Sequence, residues 1–179
     1  MSNRIFMQHQ AILDLIQGMA RITQHHIKDR GINQPAMIGI HTGGVWIAQR
    51  LHQLMKIEVP IGQLDISFYR DDFTRIGMNP QVKPSQIPFA VEDRHIILVD
   101  DVIQSGRTIR AAMNEIFDFG RPASITLVTL IERNGRELPI QPDIIGLDPP
   151  LATDEHIRLR GPNPLILEIS GAPGNRNSI

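Results

Sequence analysis

The chain reads as an α/β protein on a mainly parallel, twisted sheet flanked by helices, and three stretches predict it. Ile96-Ile97-Leu98-Val99 is a continuous apolar run that ends in Asp100-Asp101 and passes through a short turn into a helical pattern. Unbroken apolar runs suit strands covered on both faces, as in parallel sheets. Residues 35–40 repeat the arrangement. A short strand leads to the glycine turn His41-Thr42-Gly43-Gly44 and then to a helix carrying Val45, Ala48, Leu51 and Met55 inward. Residues 124–131 form a third strand, preceded by the apolar stripe Ile109, Ala112, Met113, Ile116 and Phe117 at helical spacing. Strands alternating with helices are the mark of βαβ units.

Composition narrows the class. At 179 residues, 41% apolar and 21% charged, the chain has the make-up of one globular domain with a sizeable core. It has no cysteine, which excludes disulfides and thiolate metal sites. No apolar run approaches the roughly 20 residues of a membrane span, and residues 1–6 lack a secretory apolar region, so a cytoplasmic location is expected. A net charge of −1 gives no global pull toward nucleic acid.

In order, Ile12, Leu15, Ile16, Met19, Ile22 and Ile27 recur at helical spacing, predicting a helix over about residues 8–30 with Gly31 as its stop. His25 and His26 are adjacent, so a helix turns them about 100° apart, as solvated histidines rather than a metal pair. Residues 60–72 begin as an alternating strand and end in charge. Residues 70–89 hold Gly77, Pro80, Pro84 and Pro88 with little periodicity, the composition of a flexible lid. Arg70, Arg75 and Lys83 could fold there over a polyanion. Gly120-Arg121-Pro122 stops the helix before the third strand. Residues 143–146 and 164–169 read as further short strands, with a proline-rich polar stretch at 147–163 between them. The tail over about 171–179 has disordered composition.

Chemistry concentrates where the apolar run ends. Ligands of parallel sheets lie beyond the carboxyl ends of the strands, where Asp100 and Asp101 fall. The turn Gln104-Ser105-Gly106-Arg107-Thr108 offers backbone N–H groups, hydroxyls and a helix N-terminus to an anion, most simply a phosphate. Carboxylates beside a phosphate site must serve another part of the ligand, and a sugar phosphate supplies hydroxyls for them. The turn at 41–44 has the same strand–glycine–helix form, read as a second anion site in preference to a plain tight connection. Adjacent strand residues point to opposite faces. Both carboxylates therefore reach one ligand only if the backbone is already turning at Asp100.

Residues 96–108 also resemble the 5-phosphoribosyl-1-pyrophosphate (PRPP) signature of type I phosphoribosyltransferases. With Leu64-Asp65-Ile66-Ser67-Phe68-Tyr69-Arg70-Asp71-Asp72, Gly120-Arg121-Pro122 and Arg136-Glu137-Leu138-Pro139-Ile140 in the same order, the resemblance narrows. Over roughly residues 8–170 the chain resembles the pyrimidine-operon attenuator / uracil phosphoribosyltransferase (PyrR) family.

That resemblance implies a type I phosphoribosyltransferase fold in one domain, with a small base-covering hood over about 133–163. It implies transfer of the phosphoribosyl group of PRPP to uracil, giving UMP and pyrophosphate, with Mg²⁺ carried by PRPP rather than held in a metal site of the protein. Asp100 and Asp101 would address the ribose, acting through orientation and negative charge rather than proton transfer. Gln104, Ser105, Gly106, Arg107 and Thr108 would hold the 5′-phosphate. His41, Thr42, Gly43 and Gly44 correspond to the pyrophosphate loop, Arg70, Asp71 and Asp72 to the lid, and Arg133 and Ile157 to the hood. Family members are dimers or larger, and Trp46 could serve such an interface or the core.

The chain departs from the family at informative places. The pyrophosphate loop usually reads Lys-Thr-Arg-Gly, whereas here a histidine and a glycine replace both cations, which predicts weaker PRPP or pyrophosphate binding. The family carries histidine or basic residues where Gly135, Gln141 and Leu147 stand, on its face for leader RNA. Their loss predicts weak RNA binding through lost counterion release, and Arg4, Arg21, Lys28 and Arg30 read as a solvated helix surface in preference to a different basic face. Two other readings compete with the enzyme: a weakly active UMP- or PRPP-sensing regulator of pyrimidine genes, and a type I phosphoribosyltransferase for a purine base.

Overall fold

The structure, a computed structural model, describes residues 2–67 and 85–171. Five parallel strands form the main sheet: β2 (Ala36–Ile40), β3 (Gly62–Leu64), β4 (His95–Ile103), β5 (Ser124–Glu132) and β6 (Ile144–Leu147). Their order is β3-β2-β4-β5-β6, with β4 central. Alternate residues of β4 face opposite layers, as the two-residue period of a strand dictates. Ile97 and Val99 join Ile12, Ile16 and Met19 of α1 (His9–Asp29) and Ile47, Ala48 and Leu51 of α2 (Gly43–Met55). Ile96 and Leu98 join Ile109, Ala112 and Ile116 of α3 (Arg107–Phe119) on the other side. Both layers are buried, which is why β4 is wholly apolar from Ile96 to Val99.

A second sheet, antiparallel and ordered β1-β8-β7, packs onto the α1/α2 side. It comprises β1 (Ser2–Met7), β7 (His156–Arg160) and β8 (Ile166–Gly171). Leu159, Leu165, Leu167 and Ile169 tie it to the same core as α1. Trp46 is committed within the chain. A Cβ at Gly161 would come within 2.8 Å of its ring. Arg50 also donates to the Trp46 carbonyl (2.9 Å) and, across the junction, to that of Pro162 (2.9 Å).

Several expectations need correction. The second sheet takes one strand from residues 2–7 and another from 166–171, outside the stretch 133–163 expected to form a hood. The polar stretch 147–163 contains β7, whose side chains alternate exposed and buried. β4 does not turn at Asp100 but continues to Ile103. Phe117 lies outside the core at 56% exposure, because α3 is covered on one face only. The far end of the stretch expected as a lid, residues 85–89, is anchored to the main sheet. Gln86 exchanges both backbone hydrogen bonds with Gln63 (2.8 Å each), and Ile87 and Phe89 pack on the α3-side core. His26 is half-buried, with its Nε2 unpartnered, whereas His25 is exposed and pairs with Asp29. Arg70, Asp71 and Asp72, and the tail beyond Gly171, lie outside the described residues.

Candidate active site

The carboxyl end of β4 and the start of α3 wall a hollow of about 560 Å³. Asp100, Asp101 and all of Gln104–Thr108 line it, so the two acids and the turn share one space. Gly106 adopts φ +90°, a conformation that glycine accepts without a Cβ penalty, and it caps α3. Its carbonyl receives the Arg110 N–H (3.0 Å), while the Arg107 N–H goes to Ser105 Oγ (3.2 Å). Arg107 and Thr108 form the first turn of the helix, where the dipole favours an anion.

Asp100 is 2% exposed, and its Oδ1 accepts the Asp101 backbone N–H at 3.0 Å. β4 is still extended there, and Asp100 borders the hollow as a residue of the strand end. Asp101 stands beside it, half-buried. The turn 41–44 closes over the same strand end. The His41 N–H is held by Leu64 O (2.8 Å), and α2 begins at Gly43. A Cβ at Gly44 would lie 2.6 Å from the Val99 carbonyl oxygen, and one at Gly43 would lie 2.6 Å from Asp101 Cγ. Glycine is required at both positions for this approach, so the turn does more than connect two elements.

The hood contributes Ile157 and Arg158 of β7 to the hollow. Arg133 is placed differently. It is 4% exposed, donates Nη1 to the Glu155 carbonyl (2.7 Å) beside β7, and borders a neighbouring cleft. It therefore braces the chain at the start of β7. Two charged lining residues went unassigned in the sequence. Glu137 pairs with Arg107 Nε at 2.6 Å, and Arg158 occupies an outward position of β7. The alternation of His156-Ile157-Arg158-Leu159-Arg160 was the available signal for Arg158. Glu137 had none, because its partner lies 30 residues away. Among the described residues no group of three metal-ligating side chains occurs. A larger groove of about 680 Å³ between the C-terminal ends of α1 and α2 holds none of the expected site residues.

Comparison with known proteins decides the family. The model of the phosphoribosyl transferase domain matches residues 7–156. Bifunctional protein PyrR of Nitrosococcus oceani is 59% identical over 157 residues, covering 87% of this chain and 89% of the relative. Its counterpart from Pseudomonas paraeruginosa is 55% identical over 155 residues, covering 87% and 91%. The chain belongs to the PyrR family of phosphoribosyltransferases. The PyrR resemblance read from residues 64–72, 96–108, 120–122 and 136–140 is thereby borne out.

The fold agrees with this PyrR assignment. Trypanosoma cruzi hypoxanthine phosphoribosyltransferase superposes with a TM-score of 0.65 at 21% identity, over 83% of this chain and 79% of that one. A glutamine variant from a study of an invariant aspartate in hypoxanthine phosphoribosyltransferases gives 0.66 at 22%, over 84% and 83%. Against the PyrR pattern, Gly135 and Gln141 border the neighbouring cleft together with Arg133 and Arg136, but also with Glu132 and Asp148. The charge of that face is mixed. No helix among the described residues is long and apolar enough to cross a membrane.

Proposed function

We propose that this chain makes UMP and pyrophosphate from uracil and PRPP, with the reaction in the hollow at the end of β4. The observation that carries this reading is the shared space. Two carboxylates and a glycine-bearing turn at a helix N-terminus line one cavity, so a ribose 5-phosphate meets acids at its hydroxyls and N–H donors at its phosphate. Cleavage of the bond from C1 to pyrophosphate builds positive charge on the ribose ring, as in glycoside transfer. Asp100 and Asp101 place fixed negative charge there and orient the sugar while the bond from C1 to uracil N1 replaces that to pyrophosphate, the N1 proton leaving to pyrophosphate or water rather than to the protein. The turn 41–44 abuts Asp101 and is the place for the pyrophosphate end. Ile157 borders the hollow from β7 and is assigned to the base side.

At the strand end the donor set is the two carboxylates of Asp100 and Asp101, with Glu137 committed to Arg107 across the hollow, which fits Mg²⁺ arriving with PRPP. When bound, the ion neutralises charge on the leaving group. Asp100 and Asp101 are the residues that would face it. The relatives' name marks two functions, and we assign the second here to control of pyrimidine genes. The mixed charge around Gly135 and Gln141 favours a weak, salt-sensitive RNA contact.

The test is incubation of the pure protein with PRPP, Mg²⁺ and each nucleobase in turn. UMP and pyrophosphate from uracil alone are expected. Turnover with a purine base instead, or with no base at all, overturns the reading.

A further inference from the structure

We propose that Arg136 is a positioning residue for the 5′-phosphate loop, acting through the carbonyl of Gln104 rather than by touching the ligand. The inference rests on the phosphoribosyl reading above. A backbone anion site works only if its N–H groups face the anion and its carbonyls face away. Peptide planarity links the two, since in a trans unit the C=O of one residue and the N–H of the next point in opposite directions. Holding a carbonyl on the outside therefore aims the following N–H inward.

The strap after β5 does this for two successive peptide units. Arg136 Nη1 donates to Gln104 O at 2.6 Å, which turns the Ser105 N–H the other way. The Glu137 and Leu138 N–H groups both donate to Ser105 O at 3.0 Å, which does the same for Gly106. Neither of these peptide bonds is cis. The strap approaches this closely because Gly135 has φ +105°, and a Cβ there would meet Gln104 Nε2 at 3.1 Å.

Arg136 is also fixed from behind. Its Nη2 pairs with Glu132, the last residue of β5, so a strut runs from the sheet to the loop. A planar guanidinium can bridge a carbonyl and a carboxylate at once, which a lysine ammonium on a flexible stem does with poorer geometry. The Ser105 carbonyl keeps its two backbone donors whatever stands at 136. Loss of the side chain therefore frees one peptide unit and leaves the loop in place.

The readout is the contribution of the 5′-phosphate. UMP and uridine are titrated into the wild type, Arg136→Gln and Arg136→Lys, and thermal midpoints are recorded. Arg136→Gln is expected to weaken UMP about tenfold and leave uridine within about twofold, with Arg136→Lys between. In turnover, KM for PRPP rises while kcat stays within about threefold, because the phosphate contact is made equally before and during reaction. Unchanged UMP affinity in Arg136→Gln overturns the inference, as does a parallel loss of UMP and uridine. A wild type that does not prefer UMP over uridine removes the phosphoribosyl reading itself. Should Arg136→Gln fail to fold, Glu132→Gln removes only the anchor, and it must show the same UMP-selective loss.

Discussion

Gly43 lies against Asp101 at a distance that leaves no room for a side chain: a Cβ would stand 2.6 Å from Cγ and 2.9 Å from the Cβ of Asp101. The first residue of α2 and the second acid of β4 are thus in van der Waals contact across the site. Gly43 packs the turn directly on the carboxylate.

Any side chain at 43 must displace Asp101. Gly43→Ala is expected to lower kcat/KM at least about tenfold, because a misplaced catalytic group loses the alignment that drives the reaction. Gly44→Ala meets backbone at Val99 and Asp100 instead. It should cost about 1–3 kcal/mol of stability as an overpacking change. Denaturant midpoints alongside initial rates separate the two effects. An active, stable Gly44→Ala would contradict the close approach.

Asp100→Asn and Asp101→Asn keep the shape of each side chain and remove its charge. Each is expected to lower turnover by about a hundredfold or more, the scale of losing a preorganised electrostatic contact. The fold should survive, since the side-chain amide oxygen introduced by Asp100→Asn can still accept the Asp101 N–H. Circular dichroism and the base-plus-PRPP assay measure the two halves. Wild-type rates in the double variant would remove both acids from the mechanism.

Glu137 and Arg107 form an exposed ion pair inside the phosphate hollow, with side chains 56% and 54% accessible. Such pairs contribute about 0.2–1 kcal/mol, so Glu137→Gln should leave the melting temperature nearly unchanged. It also takes a negative charge from beside the phosphate site. KM for PRPP is expected to fall about two- to fivefold, with the gain shrinking as salt rises. An increase in KM would mean that Glu137 holds Arg107 in place for the ligand.

Gly161→Ala drives a methyl group into Trp46 and Leu165 at 2.7–2.8 Å. This contact joins the hood to α2, and the expected cost is about 1–3 kcal/mol. Trp46 is the single tryptophan, so its fluorescence reports the junction directly. A shift in emission together with a lower denaturant midpoint is the expected result. A midpoint equal to wild type would show that the turn at 161 moves freely away from the ring.

Much of the site was legible because its signals are local. Residues 96–108 carry strand, acids, turn and helix start within one stretch, and the structure brings them to one hollow. The strap was legible only as a family motif, since what it does depends on Gln104 and Ser105 lying opposite it. β1 was missed because its pairing partner is β8, at the other end of the chain. β7 was missed because five alternating residues inside a proline-rich stretch look like loop until β8 pairs with them.

By itself the sequence determined the layered α/β architecture, the identity of the charged strand end and the glycines that turns require, because side-chain period and backbone freedom are properties of neighbouring residues. Tertiary structure decided whether Asp100 and Asp101 border one hollow, which backbone carbonyls of the loop the strap holds, and which distant strands make the second sheet. Those outcomes depend on contacts between residues 30 to more than 150 positions apart. Local periodicity carries no record of such contacts, since only chain closure and the burial it allows select among them.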